Sequence, residues 1–347
     1  LIHSKHLDEI QKIIDDLLIK NGISVTTRQL SDSILQLSDS YIQKPGDHSK
    51  IWRNERLAAA YLNYFLPLNY LRLLPVFQEA ATLGFFNDIS RIVDFGSGPG
   101  TAQLAALESN IHFENWLCVE KDRSATDWHK KIIENLSAQK QISQKTQFQS
   151  EHNNDFTHGK STAVIFSYSL NEVTELPSWA LKANALFIVE PSSQNQSRKL
   201  QELRSKLLAH NYYAWAPCTH QLNCPLLKHS KTDWCHNRIA VQLPERVQKI
   251  ETTLPIKNST LTYSYLLMKK SQPLKNSKSY ARVIGDTLNE RGKIRQAICR
   301  GEKREFLSWL TREGAPEQLQ RGTLFEIPEG ARELENEIRL TVKEPRD

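Results

Sequence analysis

From Leu7 onward, apolar residues fall at Leu7, Ile10, Ile13, Ile14, Leu17 and Leu18, three or four positions apart, and Gly22 follows. That spacing predicts an amphipathic helix with a glycine stop. The run "NERLAAAYLNYFLPLNYLRLLPVFQEAATLGFF" predicts a second helical region. It is apolar enough to pack against something larger, and Pro67 and Pro75 are expected to break it. Its aromatic residues read as core. Residues 1–85 are thus expected to form an N-terminal helical region.

The period changes at Arg91. Seven short apolar runs follow: "RIVDF", "NWLCVEKD", "TQFQSE", "TAVIFSYSL", "ALFIVEPSS", "YYAWAPC" and "LTYSYLLMKK". Helical stretches such as "DRSATDWHKKIIENLSAQ" and "QSRKLQELRSKLLAHN" lie between them. Strands alternating with helices predict a largely parallel sheet covered on both faces. The last two strands have no helix between them, which suits an antiparallel edge. Beyond Ser271, "ARVIGD", "GKIRQAICR", "REFLSWLTR" and "GTLFEIP" predict a small β-rich appendage. The charged tail "EGARELENEIRLTVKEPRD" is expected to be partly disordered.

Between the first strand and its helix, "VDFGSGPGT" places Asp94, Gly96, Gly98 and Gly100 in the order D-x-G-x-G-x-G. A strand-to-helix turn this dense in glycine lets backbone approach a ligand and aims helix amides at it. A plain structural turn or a nicotinamide site is the alternative. Glu120 closes the second strand, where a carboxylate can accept both hydroxyls of a ribose. "SYSLNEV" closes the fourth. Together these features resemble the class I S-adenosylmethionine-dependent methyltransferases. The resemblance implies a Rossmann-like α/β fold with a seven-stranded sheet. It places Gly96, Gly98 and Gly100 against the methionine portion and ribose. Asp94 would organise the loop and meet the ligand's ammonium through water, and Glu120 would hold the ribose hydroxyls. Asn154 or Asp155 would approach the adenine amine. Asn171 and Glu172 are candidates for contact with the methyl acceptor, or caps of the turn that follows. The Pro-Pro-aromatic motif of many base-amine methylases is absent here.

Composition narrows the class. The chain has 347 residues, 39% apolar and 24% charged. No apolar run is long enough for a transmembrane helix, so no membrane partner is expected. The net charge is +6. The stretch 273–312 holds ten Lys/Arg against four Asp/Glu, an excess equal to that of the whole chain. That stretch suits an anionic partner or a solvated face.

Five cysteines without a secretory signal argue against a disulfide framework. Three of them crowd into "APCTHQLNCPLLKHSKTDWCHNR", at Cys218, Cys224 and Cys235. Cys118 sits in an apolar strand and reads as packing, so Cys299 is the better fourth thiol. Four thiolates can hold zinc or an iron–sulfur cluster. Close C-x₂₋₄-C pairs, usual for structural zinc, are absent. His220 and His236 keep a Cys₃His zinc site open.

With "VDFGSGPGT", "SLNEV" and "FIVEPSS" ahead of it, this cysteine segment resembles the methyltransferase-like proteins of the mitochondrial small ribosomal subunit and their bacterial relatives. The resemblance spans roughly residues 40–312. It implies S-adenosylmethionine binding and a [4Fe–4S] cluster on Cys218, Cys224, Cys235 and Cys299. It also implies association with small-subunit ribosomal RNA, either as a methyltransferase or as a non-catalytic assembly factor. A methyltransferase acting on protein or a small molecule is the third reading. The expected organisation is a helical region 1–85, a methyltransferase-like domain 86–270 with a metal-binding insertion 216–240, and a basic β-rich appendage 271–347. With no presequence pattern visible, a bacterial-type cytoplasm is expected, and the mitochondrial matrix is the alternative.

Overall fold

The computed structural model describes residues 2, 4–43, 51–109, 111, 113–140, 145–151, 161–173, 175–274, 279–313 and 319–340. The chain forms two compact units, Leu1–Glu190 with Ala240–Leu261 and Pro191–Ile239 with Thr262–Asp347. The expected insertion 216–240 and the expected appendage therefore fall almost wholly in one unit.

The first unit begins with α1 (Lys5–Lys20) and α2 (Thr27–Gln43). The Ser4 hydroxyl accepts from the Leu7 N–H at 2.9 Å and so caps α1, and the predicted apolar face is buried. α3 (Glu55–Ala60), capped by Asn54, runs through a π-helical turn at Tyr61–Phe65 into α4 (Leu66–Thr82). The expected breaks at the two prolines do not occur. Pro67 falls where the π-helical turn Tyr61–Phe65 passes into α4, and the helix continues through it. Pro75 lies inside the helix. Leu71, Leu73, Leu74 and Phe77 around it are fully buried, and that packing outweighs the roughly 3 kcal/mol a mid-helix proline costs.

Then come β1 (Arg91–Phe95), α5 (Thr101–Glu108), β2 (Asn115–Val119), α6 (Arg123–Lys140), β3 (Lys145–Gln149), β4 (Thr162–Ser167) and β5 (Ala185–Glu190). These strands are parallel in the order β3-β2-β1-β4-β5. Asp94 stands opposite Cys118 on β2 and Ile165 on β4. β5 is buried along its length, as a strand covered on both faces must be.

The rest of the chain forms α7 (Gln194–Ala209), β6 (Tyr213–Ala216), α8 (Pro225–His229), β7 (Asn237–Ala240), α9 (Glu245–Glu251) and β8 (Thr260–Lys269). β6 and β8 are antiparallel, as expected, although the short helices α8 and α9 lie between them where no helix was expected. β7 and α9 were not foreseen; they are too short for periodicity to reveal. Beyond them lie β9 (Tyr280–Glu290), β10 (Lys293–Cys299), β11 (Glu305–Leu310), β12 (Leu324–Glu326), β13 (Arg332–Glu333) and β14 (Glu337–Arg339). These six make a second sheet in the order β12-β9-β10-β11-β14-β13. Its core gathers Ala281, Val283, Ile298, Leu307, Trp309 and Ile338. The charged tail is thus partly strand, because Ile338 is buried opposite Leu307. The fold is the expected Rossmann-like α/β class with a β-rich C-terminal sheet. Among the described residues no helix is long and apolar enough to cross a membrane.

Candidate functional site

The turn after β1 carries Gly96, Gly98 and Gly100, all at positive φ (+69°, +50° and +89°). An L side chain rarely adopts that backbone, but the space around each glycine differs. A Cβ on Gly96 would lie 2.6 Å from the Ser169 Cβ, and one on Gly100 would lie 2.2 Å from the His129 ring. A Cβ on Gly98 would meet nothing within 4 Å. Two of the glycines therefore admit other parts of the protein, and only Gly98 faces open space.

Carboxylates crowd this loop. Asp94 is fully buried, and neither of its oxygens completes a hydrogen bond. Burial pushes it up to about 7; the nearby Trp116 indole offsets this only in part, and Glu120 adds to it. The Ser97 and Thr101 hydroxyls beside it are also buried without partners. Glu120 accepts the Gly98 N–H at 3.0 Å and the Asp122 N–H at 2.9 Å. Burial raises its pKa, and these two donors oppose the rise. Buried polar atoms without partners, next to open space and several acids, fit a cationic ligand that also brings hydrogen-bonding groups.

Asn171 and Glu172 lie in a 3₁₀ turn at Leu170–Glu172. Ser169 donates to the Phe95 carbonyl at 2.6 Å, tying this turn to the end of β1. Glu190, the last residue of β5, accepts the Leu170 N–H at 2.9 Å and also holds the Asn171 N–H. Burial pushes Glu190 up to about 8. Glu172 is exposed at the surface of the turn. Its pKa is raised by surrounding protein and by Glu120, and Lys121 opposes this. Asp155 and Asn154 lie outside the described residues.

Ser169, Glu190 and His129 were missed from sequence. Glu190 had a legible signal, an acid closing an apolar strand just as Asp94 and Glu120 do. His129 had none, being one polar residue on an amphipathic helix. Its Nε2 lies 2.7 Å from Gln103 Oε1, and burial lowers its pKa to about 3.

In the second unit, Cys218 follows β6, Cys224 caps α8, Cys235 precedes β7 and Cys299 ends β10. All four line one cavity of about 40 Å³, together with Arg204, His220 and His236. Burial pushes Cys235 up to about 12, the Cys218 and Cys224 thiols add to the rise, and Arg321 and Arg282 oppose it. Cys299 is raised well above the usual thiol range by burial and by the other three cysteines. The thiols are therefore near enough to feel one another. Among the described residues, no group of three or more His, Cys, Asp or Glu is placed to hold a metal ion. All five cysteines are free, and Cys118 is buried within β2.

Arginines support the cavity walls. Arg282 is buried and donates to the Pro217 carbonyl at 2.9 Å and the Gly322 carbonyl at 2.8 Å. Much of the basic stretch 273–312 is likewise engaged within the unit. Lys293 and Arg295 pair with Glu337, Arg300 with Glu305, and Arg304 with Asp233. Arg291, Lys303 and Arg312 are exposed.

The family described as mitochondrial small ribosomal subunit Rsm22 matches residues 55–325. No curated protein matches the chain. Among solved structures, the chain is similar to a proposed RNA methyltransferase of Pyrococcus horikoshii. The identity is 16%, over 71% of this chain and 99% of that one, with a TM-score of 0.35. It is also similar to TrmK of M. capricolum in complex with S-adenosyl-homocysteine, at 11% identity over 58% and 70% of the two chains, with a TM-score of 0.32. A third is the plantazolicin methyltransferase BpumL, also with S-adenosyl-homocysteine, at 12% identity over 76% and 100%, with a TM-score of 0.35.

Proposed function

The chain belongs to the Rsm22 family of the mitochondrial small ribosomal subunit, and from that premise we propose that it is an S-adenosylmethionine-binding, iron–sulfur-containing methyltransferase-like protein that acts on or assembles the small subunit. The observation that carries the ligand is the glycine loop, where Gly98 opens onto space beside the unpartnered carboxylate of Asp94. Gly98, Asp94 and Glu120 would hold S-adenosylmethionine, with Gly96 and Gly100 shaping the loop; Asp155 is kept as the adenine contact. The bound ligand supplies a methyl group on a sulfonium, an electrophile that needs an aligned acceptor more than acid–base machinery. The protein's part is to balance the sulfonium charge and orient the acceptor. Glu172 and Asn171, at the surface turn after β4, are the residues proposed to meet that acceptor.

Cys218, Cys224, Cys235 and Cys299 are the proposed ligands of a [4Fe–4S] cluster. Four thiols around one cavity supply the donor set of such a centre, and a zinc ion is the alternative. The cluster would tie the 218–235 segment to β10 and stabilise the unit. Ribosomal RNA is the proposed partner. The mitochondrial name of the family fits the matrix, the alternative to a bacterial-type cytoplasm.

A second reading is a non-catalytic assembly factor that keeps both groups for structure. It is favoured by the turn after β4, whose amides are held by Glu190 rather than left open. Methyl transfer from labelled S-adenosylmethionine to small-subunit RNA separates the two. Transfer abolished by Gly96→Arg and by Glu120→Ala supports the enzyme. No transfer, with ribosome association lost on Cys→Ser but kept with Glu120→Ala, supports the assembly factor.

A further inference from the structure

His220 lines the cysteine cavity, and its two ring nitrogens face different partners. Nδ1 accepts the Leu222 backbone N–H at 3.1 Å. A nitrogen that accepts carries no proton, so the ring proton sits on Nε2. Nε2 lies 3.3 Å from the Cys299 Sγ, within hydrogen-bonding distance for sulfur. The neutral imidazole therefore donates to that sulfur.

The ring is held in place from behind. Arg204 is buried and donates to the His220 carbonyl at 2.7 Å and to the Leu222 carbonyl at 2.9 Å. The Thr219 hydroxyl donates to the Cys299 carbonyl at 3.2 Å. Asn223 binds Glu302 through its backbone N–H and its side chain, at 3.2 and 2.9 Å. The segment 219–223 is thus fastened to the end of β10 at several points. The Nε2–Sγ approach is built by this framework and is not a chance rotamer.

We propose that His220 is a positioning residue that raises the reduction potential of the cluster on the four cysteines by donating a hydrogen bond to the Cys299 thiolate. The inference rests on the cluster reading given above. A donor to a ligating sulfur withdraws charge from it and favours the more negative, reduced cluster. One corner of the centre is then biased apart from the others, by a histidine that is not itself a ligand.

The test uses the full chain, purified anaerobically, with iron, sulfide and zinc measured and the cluster titrated against redox dyes. His220→Asn keeps an acceptor for the Leu222 N–H but is too short to reach the sulfur. His220→Gln places an amide N–H near the position of Nε2. With iron and sulfide unchanged, the Asn variant is expected to show a reduced-to-oxidised ratio about tenfold lower at fixed potential, about 59 mV more negative for a one-electron couple. The Gln variant is expected to stay near the parent. An Asn variant at the parental potential overturns the inference, as does a Gln variant shifted equally far. Parental protein with zinc and no sulfide overturns the cluster reading itself, and that failure is visible before any variant is made. If the Asn variant fails to assemble a cluster, His220→Ala takes its place as the variant without a donor: a potential about 59 mV more negative supports the inference, and the parental value overturns it.

Discussion

The Gly98 N–H donates to Glu120 Oε2 at 3.0 Å, so the open glycine of the loop is anchored by the carboxylate at the end of β2. The other oxygen of Glu120 takes the Asp122 N–H at 2.9 Å. One side chain therefore fixes two backbone amides of the loop region. Glu120→Gln turns an amide NH₂ towards one of these backbone donors. We expect a loss of about 1–3 kcal/mol, read as a lower denaturant midpoint without ligand. The thermal shift on adding S-adenosyl-homocysteine should shrink as well. An unchanged midpoint would contradict the anchoring role.

The three glycines should separate by substitution. Gly100→Ala drives a methyl into the His129 ring and keeps a strained φ, and so should destabilise the fold by about 1–3 kcal/mol or more. Gly98→Ala meets no protein atom within 4 Å, so only the left-handed backbone penalises it, by about 1–2 kcal/mol. Calorimetric binding of S-adenosyl-homocysteine should nonetheless weaken at least tenfold in Gly98→Ala. Equal ligand affinity in this variant and the parent would place the ligand elsewhere.

Asp94 predicts a pH dependence with a definite sign. Its pKa is raised from 3.8 to about 7 in the fold. The stability its neutral form contributes is fully present below pH 3.8 and is lost as pH rises through about 7. Between those two values the loss is about 1.4 kcal/mol for each step of one in pH. Without ligand, Asp94→Asn should therefore gain stability relative to the parent as pH rises from 4 to 8. Affinity for the cationic ligand should move the other way, since the parent gains its anion near pH 7 and the variant has none. Parallel stability curves for the two proteins would refute this account.

His129 has the opposite sign. Its pKa falls from 6.5 to about 3 on burial, so its stability is present above pH 6.5 and is lost as pH falls towards 3. His129→Gln should flatten acid unfolding between those values. A parental acid limb in the variant would assign the transition to other groups.

Arg282 tests the cavity wall independently of any metal. Its buried guanidinium holds the Pro217 and Gly322 carbonyls. Arg282→Met should cost about 2–4 kcal/mol by leaving those carbonyls without partners. Chemical denaturation of the metal-free protein would measure it. On the cluster reading, chelator treatment of the protein as purified should lower its stability through loss of the proposed Cys-bound group.

Much of this could be read along the chain, because the signals are local. The period-3.6 pattern of α1, the apolar runs of β1, β4 and β5, and the strand–glycine–helix turn are each written in adjacent residues. The three thiols of 218–235 stand out by their crowding. Legibility failed where local preference met tertiary packing. Pro75 sits inside α4 because buried leucines hold the helix together around it. Ile338 pulls a charged tail into the second sheet. The basic stretch 273–312 read as suiting an anionic partner or a solvated face, yet Arg282 is buried and Lys293, Arg295, Arg300 and Arg304 are paired.

The sequence by itself determined the α/β class, the position of the glycine turn and the crowding of three thiols at 218–235. Periodicity and glycine density act over a few residues and need no knowledge of what lies across the fold. Only the tertiary structure decided which glycine is open, because the atoms that close off Gly96 and Gly100 come from Ser169 and His129, tens of residues away. It also decided that Glu190 holds the turn after β4, and that His220 Nε2 lies 3.3 Å from the Sγ of Cys299, 79 positions further on. Hydrogen bonds and excluded volume depend on distance in space, and the chain order does not record that distance.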